Sequence, residues 1–73
     1  MTKYEFCNEF CGLLQTTEQY KDLAELTYYK DENEDEWVRP HWRTPAGEFV
    51  GRRICVTADS ETAMIKDILR GIE

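Results

Sequence analysis

The chain has few of the residues from which catalytic sites are usually built. Its 73 residues include one histidine, and its four glycines are scattered at positions 12, 47, 51 and 71. Scattered glycines exclude a phosphate-binding loop, because such a loop needs several of them in one short turn. No serine or cysteine stands in a nucleophile motif beside a base. The sequence therefore predicts a protein that is not an enzyme and that uses no cofactor.

Long apolar runs are also missing. Even the stretch LAELTYY is interrupted by Glu25, so no segment is long enough for a membrane span or a secretory signal. The cysteines number three, and an odd count argues against a closed disulfide framework. These absences predict a cytoplasmic protein with reduced thiols, no membrane association and a single small domain over residues 1–73. A domain of this size buries only about 60% of the surface that its unfolded chain exposes, so we expect a small free energy of unfolding.

Charge is unevenly distributed along the chain. The formal net charge is −6, from 9 basic and 15 acidic side chains. Residues 37–53 contain four arginines and one acid, which gives this segment +3 and leaves −9 for the rest. Directly before it, residues 31–36 (DENEDE) hold five carboxylates in six positions. The overall acidity disfavours nucleic acid as a partner, whereas the basic segment keeps it as an alternative.

The apolar pattern predicts a helix at each end of the chain and an antiparallel sheet between them. Residues 3–14 place apolar side chains on about half of a helical circumference. The closing helix, with Asp59 or Ser60 as its N-cap, carries a narrower arc of about 140° at 100° per residue. This arc contains Met64, Ile65, Ile68, Leu69 and Ile72. Both helices are expected on one face of the sheet, which makes the fold α+β.

Three segments predict the strands of a β-meander. ELTYY favours a strand over about 24–30, followed by WVRPHWR, the turn TPAGE and FVGRRICVTA. Alternation along the last segment places Val50, Ile54 and Val56 on one face.

Two observations leave the order of these elements open. Thr16 and Gln19 have the spacing of a capping box, which would start a second helix at about 17–27 and leave only a two-stranded hairpin. Pro40 lacks the N–H that a central strand donates, so it marks an edge, a bulge or a point beyond its neighbour's pairing. In a meander the strand with Pro40 is central, which conflicts with the proline unless the first strand is short.

Strand alternation brings aromatic and cationic side chains together on one sheet face, with Phe49 and Arg53 as hairpin neighbours. Trp, Tyr and Arg dominate protein-binding hot spots, and an aromatic ring beside cations also suits base stacking. We therefore predict a non-enzymatic interaction module for another protein or a second copy, with single-stranded nucleic acid as the alternative. The predicted binding residues are Trp37, Arg39, His41, Arg43 and Arg53.

The acidic run at residues 31–36 has three interpretations. It predicts a solvated hairpin loop that opposes edge-to-edge association. Its carboxylates could instead pair with the arginines of the same chain and neutralise them, at about 0 to 1 kcal/mol for each surface pair. The third functional hypothesis is that the carboxylates imitate phosphates and occupy a nucleic-acid-binding protein.

The three cysteines and the histidine have the composition of a Cys3His zinc site. These residues are Cys7, Cys11, Cys55 and His41. However, Cys7 and Cys11 lie four residues apart within an apolar helical face, where free cysteine behaves as a small buried hydrophobe. The pattern therefore predicts cysteines of the core and no metal site.

The stretch VTADSETAMIKDILRGI, residues 56–72, resembles the end of small uncharacterised proteins encoded on phages and conjugative elements of Gram-positive bacteria. In those proteins a strand runs through a short Asp and Ser cap into an amphipathic helix. The resemblance covers about a quarter of the chain. It implies a bacterial accessory protein of a mobile genetic element, and it implies no activity and no functional residue.

Overall fold

The computed structural model describes residues 1–57 and 59–72. The elements are α1 (Lys3–Leu14), β1 (Leu23–Lys30), β2 (Glu36–Thr44), β3 (Gly47–Val50), β4 (Ile54–Cys55) and α2 (Glu61–Ile72). β2 is central and antiparallel to β1 on one side and to β3 and β4 on the other. The predicted α+β order of helix, sheet and helix is confirmed. The alternative helix at about 17–27 is wrong, because the second half of that range pairs with β2 as a strand.

Local hydrogen bonds explain where both helices begin. At α1, Thr2 Oγ1 accepts a bond of 3.1 Å from the Glu5 N–H, and the Glu5 carboxylate accepts one of 3.0 Å from the Thr2 N–H. This reciprocal pair is a capping box. At α2, Ser60 Oγ accepts from the Ala63 N–H at 3.1 Å. Of the two N-caps predicted for α2, the described contacts therefore assign the capping bond to Ser60.

A bulge divides the predicted third strand into β3 and β4. Val50 is the last residue of β3 and lies opposite His41, while Ile54 begins β4 opposite Val38. Three residues, 51–53, therefore stand opposite two. The extra residue reverses the alternation of side chains, so the predicted shared face is wrong for Val50, which lies on the opposite face from Ile54, whereas Ile54 and Val56 are both in the buried cluster. The predicted strand also included Ala58, which is outside the described residues.

The same bulge explains how Pro40 occupies the central strand. The Pro40 carbonyl oxygen accepts a hydrogen bond of 2.8 Å from the Gly51 N–H. In an antiparallel strand the N–H and C=O of one residue point to the same neighbouring strand. The missing donor of Pro40 therefore faces the bulge, where the ladder is already interrupted. β1, on the other side, remains a full strand of eight residues.

Both helices contribute to one buried cluster, which lies on the sheet face that carries Leu26 and Val38. The cluster contains Cys7, Phe10, Cys11, Leu14, Tyr20, Leu23, Leu26, Tyr28, Val38, Ile54, Val56, Met64 and Ile68. The prediction that both helices lie on one face is thereby confirmed. The opposite face of the sheet carries no helix within residues 1–57 and 59–72.

The two helical glycines are expected to respond oppositely to alanine. A Cβ added at Gly12 meets no atom within 4 Å, whereas one added at Gly71 would lie 2.6 Å from Ile54 Cγ2. Gly12→Ala should raise the free energy of unfolding by about 0.5 to 1 kcal/mol, because alanine favours the helix. Gly71→Ala should lower it by about 1 kcal/mol, since overpacking outweighs the same gain. Urea denaturation measures both, and a stabilised Gly71→Ala variant would contradict the close approach of α2 to β4.

Candidate functional site

Four of the five predicted binding residues lie on the sheet face opposite the helices. They are Trp37, Arg39, His41 and Arg43. Residues that pair across strands share a face, and their partners complete the surface. We call this surface the open face, and it consists of Glu25, Thr27, Tyr29, Trp37, Arg39, His41, Arg43, Glu48, Val50 and Cys55. The predicted alternation along β2 is confirmed.

Arg53 reaches the open face from the bulge. Its guanidinium carbon lies 3.8 Å from the centroid of the Trp37 ring, which is a cation–π contact. The indole N–H of Trp37 donates to Asp31 Oδ2 at 2.9 Å. This hydrogen bond is the main reason why the pKa of Asp31 lies below its ordinary value. Trp37 therefore has one ring face covered and its only donor occupied.

Phe49 does not belong to the open face. It pairs with Trp42, and the hairpin closes on the pair of Thr44 and Gly47. This register places Phe49 and Trp42 on the side of the helices, where Phe49 is 59% exposed. The expectation that Phe49 neighbours the predicted binding residues is wrong, because the turn fixes a register that sequence spacing alone does not reveal.

His41 is held on both ring nitrogens. Nε2 lies 3.0 Å from Thr27 Oγ1, and Nδ1 lies 2.7 Å from Glu48 Oε1. These contacts fix the ring between β1 and β3. A ligand could reach a nitrogen of His41 only by displacing one of these partners, so the residue orders the open face more than it offers a contact.

Arg39 and Arg43 are the least satisfied cations of the open face. The Nε atom of Arg39 is buried and has no hydrogen-bond partner in the part of the chain that the structure describes. A buried donor without an acceptor costs about 1 to 3 kcal/mol. Arg43 Nη2 makes only long contacts, of 3.4 Å to Lys21 O and 3.5 Å to Leu23 O. Neither guanidinium group forms an ion pair with a described carboxylate, so both can donate to a carboxylate of another molecule.

The acidic run folds into a tight loop around Asp31. Asp31 Oδ1 accepts from the N–H groups of Asn33 and Asp35, each at 2.9 Å, and the Asp31 N–H donates to Asp35 O at 3.0 Å. Glu34 has a φ of 65°, in the left-handed region that residues other than glycine rarely adopt. These hydrogen bonds give the loop a defined shape.

The five carboxylates of this loop have different roles. Asp31 binds Trp37, and Glu36 accepts from Lys3 Nζ and from the Tyr28 hydroxyl. The other three, Glu32, Glu34 and Asp35, are exposed. Every ion pair among the described residues has Lys3, Lys21 or His41 as its basic member. The expectation that the arginines form ion pairs with the acidic run is therefore wrong for the described contacts, although the attraction of Arg53 adds to the bond from Trp37 in lowering the pKa of Asp31.

The four candidate zinc ligands are divided between the two sides of the sheet. Cys7 and Cys11 are buried under α1, whereas Cys55 is exposed and shares the open face with His41. Desolvation raises the pKa of Cys7 to about 11, which disfavours the thiolate that zinc requires. No group of three or more metal-ligating side chains occurs among the described residues. The prediction of core cysteines is confirmed for Cys7 and Cys11 and is wrong for Cys55, which the strand register places on the open face.

Sequence reasoning missed a groove on the helix side of the sheet. It has a volume of about 590 Å³ and lies between the β2–β3 hairpin, the bulge and the C-terminal part of α2. Its aromatic lining is Trp42 and Phe49, and its cationic lining is Arg52, Arg53 and Arg70. We call it the basic groove. The three arginines were visible in the sequence, but only the bulge and the seat of α2 bring them together.

Comparisons with protein families, with curated proteins and with solved structures found no match to this chain. The open face and the basic groove are therefore interpreted from their own chemistry. Neither described helix is long and apolar enough to cross a membrane.

Proposed function

We propose that this chain is a non-enzymatic interaction module that binds an acidic surface of another protein through its open face. The observation that carries the proposal is that Arg39, Arg43 and Arg53 form no ion pair with a described carboxylate. A carboxylate of another protein that binds one of these guanidinium groups would gain a charge-assisted hydrogen bond of about 1.5 to 3 kcal/mol. Arg43 and Arg53 supply further cations on the same face.

Two features favour a protein partner over single-stranded nucleic acid. A base could stack on the covered face of Trp37 only by displacing Arg53. Asp31 lies against the same indole, and the acidic loop beside it repels phosphates. A protein surface, in contrast, can present carboxylates to the arginines and cations to the loop. The phosphate-mimicking hypothesis has less support, because two of the five carboxylates are engaged within the chain.

The biological setting is part of the same proposal. We propose an accessory protein of a bacterial mobile genetic element that acts in the cytoplasm. This part rests on the resemblance of residues 56–72 and on the apolar pattern of the sequence. The binding chemistry of the open face does not depend on it.

The proposal is tested by capture from a bacterial lysate with immobilised wild-type protein, an Arg39→Ala/Arg43→Ala variant and a matched Arg52→Ala/Arg70→Ala control. We expect a protein that the wild type and the control retain after nuclease treatment and that the open-face variant releases. With that partner purified, the open-face variant should bind at least about tenfold more weakly, which corresponds to 1.4 kcal/mol. Equal retention by all three proteins would contradict the proposal.

Nucleic acid is tested separately by fluorescence anisotropy with labelled DNA and RNA oligonucleotides. A single-strand binder that relies on phosphate contacts loses affinity steeply between about 50 and about 200 mM salt. We expect no binding at either salt concentration. Micromolar binding at the higher concentration that Trp37→Ala and Arg43→Ala both weaken would replace the protein partner with nucleic acid.

A further inference from the structure

We propose that the basic groove binds the acidic loop of a second copy of this chain, so that the protein associates with itself. The groove borders the open face at Arg53 and Cys55, whereas Arg52 and Arg70 do not belong to that face. The inference therefore stands apart from the partner proposed for the open face.

The groove has the chemistry of a carboxylate site. None of its three arginines forms an ion pair with a described carboxylate. Asp67, the one acid in its lining, accepts from the Thr57 N–H at 2.9 Å and from the Thr57 hydroxyl at 3.3 Å. Asp67 forms no ion pair with the arginines among the described contacts, although its negative charge remains in the groove. Guanidinium groups bind carboxylates in paired hydrogen bonds, and a volume of about 590 Å³ is within the range of ligand pockets.

The acidic loop is the complementary surface. Glu32, Glu34 and Asp35 project from it without an ion-pair partner among residues 1–57 and 59–72. Because the side chain of Asp31 already fixes the loop backbone, little conformational freedom is lost when the loop is bound. The exposed carboxylates of the loop thus match the guanidinium groups of Arg52 and Arg70, because that of Arg53 is stacked on Trp37.

The acidic loop and the basic groove of one copy do not bind each other. Asp31 is bonded to Trp37, and Glu36 is bonded to Lys3 and Tyr28, so both ends of the loop are attached to their own sheet and helix. The contact between copies joins two different surfaces. Two copies form it twice in a two-fold arrangement, or successive copies form it head to tail.

Charge exchange between two variants gives the test. The groove variant is Arg52→Glu/Arg70→Glu and the loop variant is Glu32→Lys/Glu34→Lys, with formal net charges of −10 and −2, that is, −6 changed by −4 and by +4. Sedimentation velocity over a concentration series should show association of the wild type. Each variant alone should associate at least about tenfold more weakly, because the groove variant places a negative groove against a negative loop and the loop variant changes the charge of residues 31–36 from −5 to −1.

An equimolar mixture of the two variants should associate again, because the unchanged loop of one variant then meets the unchanged groove of the other, and the lysines introduced in the loop meet the glutamates introduced in the groove. Both proteins remain acidic, so attraction between net charges does not explain recovery. A Glu9→Lys/Glu18→Lys control, changed at exposed positions outside both surfaces, should associate like the wild type. Thermal melts followed by circular dichroism verify that each variant is folded.

Three results would overturn the inference. If the wild type stays monomeric up to about millimolar concentration, the groove does not bind a second copy. Its partner would then be a carboxylate segment of a different protein. A mixture that fails to recover association excludes the pairing of loop and groove. Association that survives in both charge variants but is lost in Arg43→Ala assigns self-association to the open face.

Discussion

Ile68→Ala is expected to lower the free energy of unfolding by about 2 to 5 kcal/mol. Ile68 is 0% exposed and lies in the single buried cluster that α2 shares with the sheet. Truncation removes buried methyl and methylene groups and leaves a cavity that the neighbours fill only in part. Total stability scales at roughly 0.05 to 0.15 kcal/mol per residue, so this loss is a large part of the stability of so small a domain. Urea denaturation followed by circular dichroism measures it.

Leu69→Ala is the matched control in the same helix. The apolar arc of the sequence contains both residues, and this pattern alone predicts losses of equal size. The structure leaves Leu69 only partly buried at the border of the cluster, so we expect a smaller loss, of about 1 kcal/mol. If the two variants lose equal amounts of unfolding free energy, or if both lose less than 1 kcal/mol, the packing of α2 on the sheet described above would be contradicted.

The helices could be predicted from the sequence because their signals are local. The apolar spacing from Lys3 to Leu14 gave the bounds of α1, and the arc around Ile68 gave the buried side of α2. β1 was more difficult, since the capping-box spacing of Thr16 and Gln19 competed with the β-branched and aromatic residues after it. Pairing with β2 from Leu23 to Lys30, interrupted only at Ala24, decides for the strand, because tertiary contacts override weak local preferences.

The third strand could not be predicted because its faces depend on one extra residue. In the segment GRR, residues 51–53, the only sequence signal for a bulge is the glycine. In the structure this Gly51 lies beside Pro40. Once the bulge is present, Ile54 turns inward while Val50 remains on the open face. The basic groove depends on the same three residues. Residue spacing in the sequence therefore could not predict it.

The candidate site was predictable as a face but not as a set of contacts. Alternation along β2 places Trp37 and Arg39 together, and this follows from the geometry of any strand. The hydrogen bonds that decide which side chains are available come from elsewhere in the chain. Asp31 engages Trp37, and Thr27 and Glu48 engage His41. Long-range partners of this kind have no period in the sequence.

Among the contacts of the acidic loop, those of the Glu36 carboxylate have the largest expected effect on the free energy of unfolding. It is 16% exposed and accepts from Lys3 Nζ and the Tyr28 hydroxyl. Glu36→Leu leaves the hydroxyl of the buried Tyr28 without this acceptor, and we expect a loss of about 1 to 3 kcal/mol. Tyr28→Phe removes the hydroxyl as well as its need for an acceptor, so the double variant should lose less than the sum of the single losses.

The pH dependence of stability provides an independent measurement of the same contact. The hydrogen bond from Lys3, and then that from Tyr28, lower the pKa of Glu36. A lowered folded-state pKa gives stability that is present above pH 4.5, the ordinary value for glutamate, and lost as the pH falls through the folded-state pKa. Burial, and then the bond to Glu36, raise the pKa of Tyr28. Its contribution is therefore present below pH 10, the ordinary value for tyrosine, and lost as the pH rises further.

Glu36→Leu should accordingly flatten the acid side of the stability profile more than replacement of an exposed loop carboxylate does. The control is Glu32→Gln, at an exposed position whose side chain makes no ion pair with the described residues. Urea denaturation at a series of pH values from about 3 to about 7 measures the slope for each protein. If Glu36→Leu and Glu32→Gln keep the slope of the wild type, the acid sensitivity arises outside this contact, and the bond between the acidic loop and Tyr28 does not stabilise the fold.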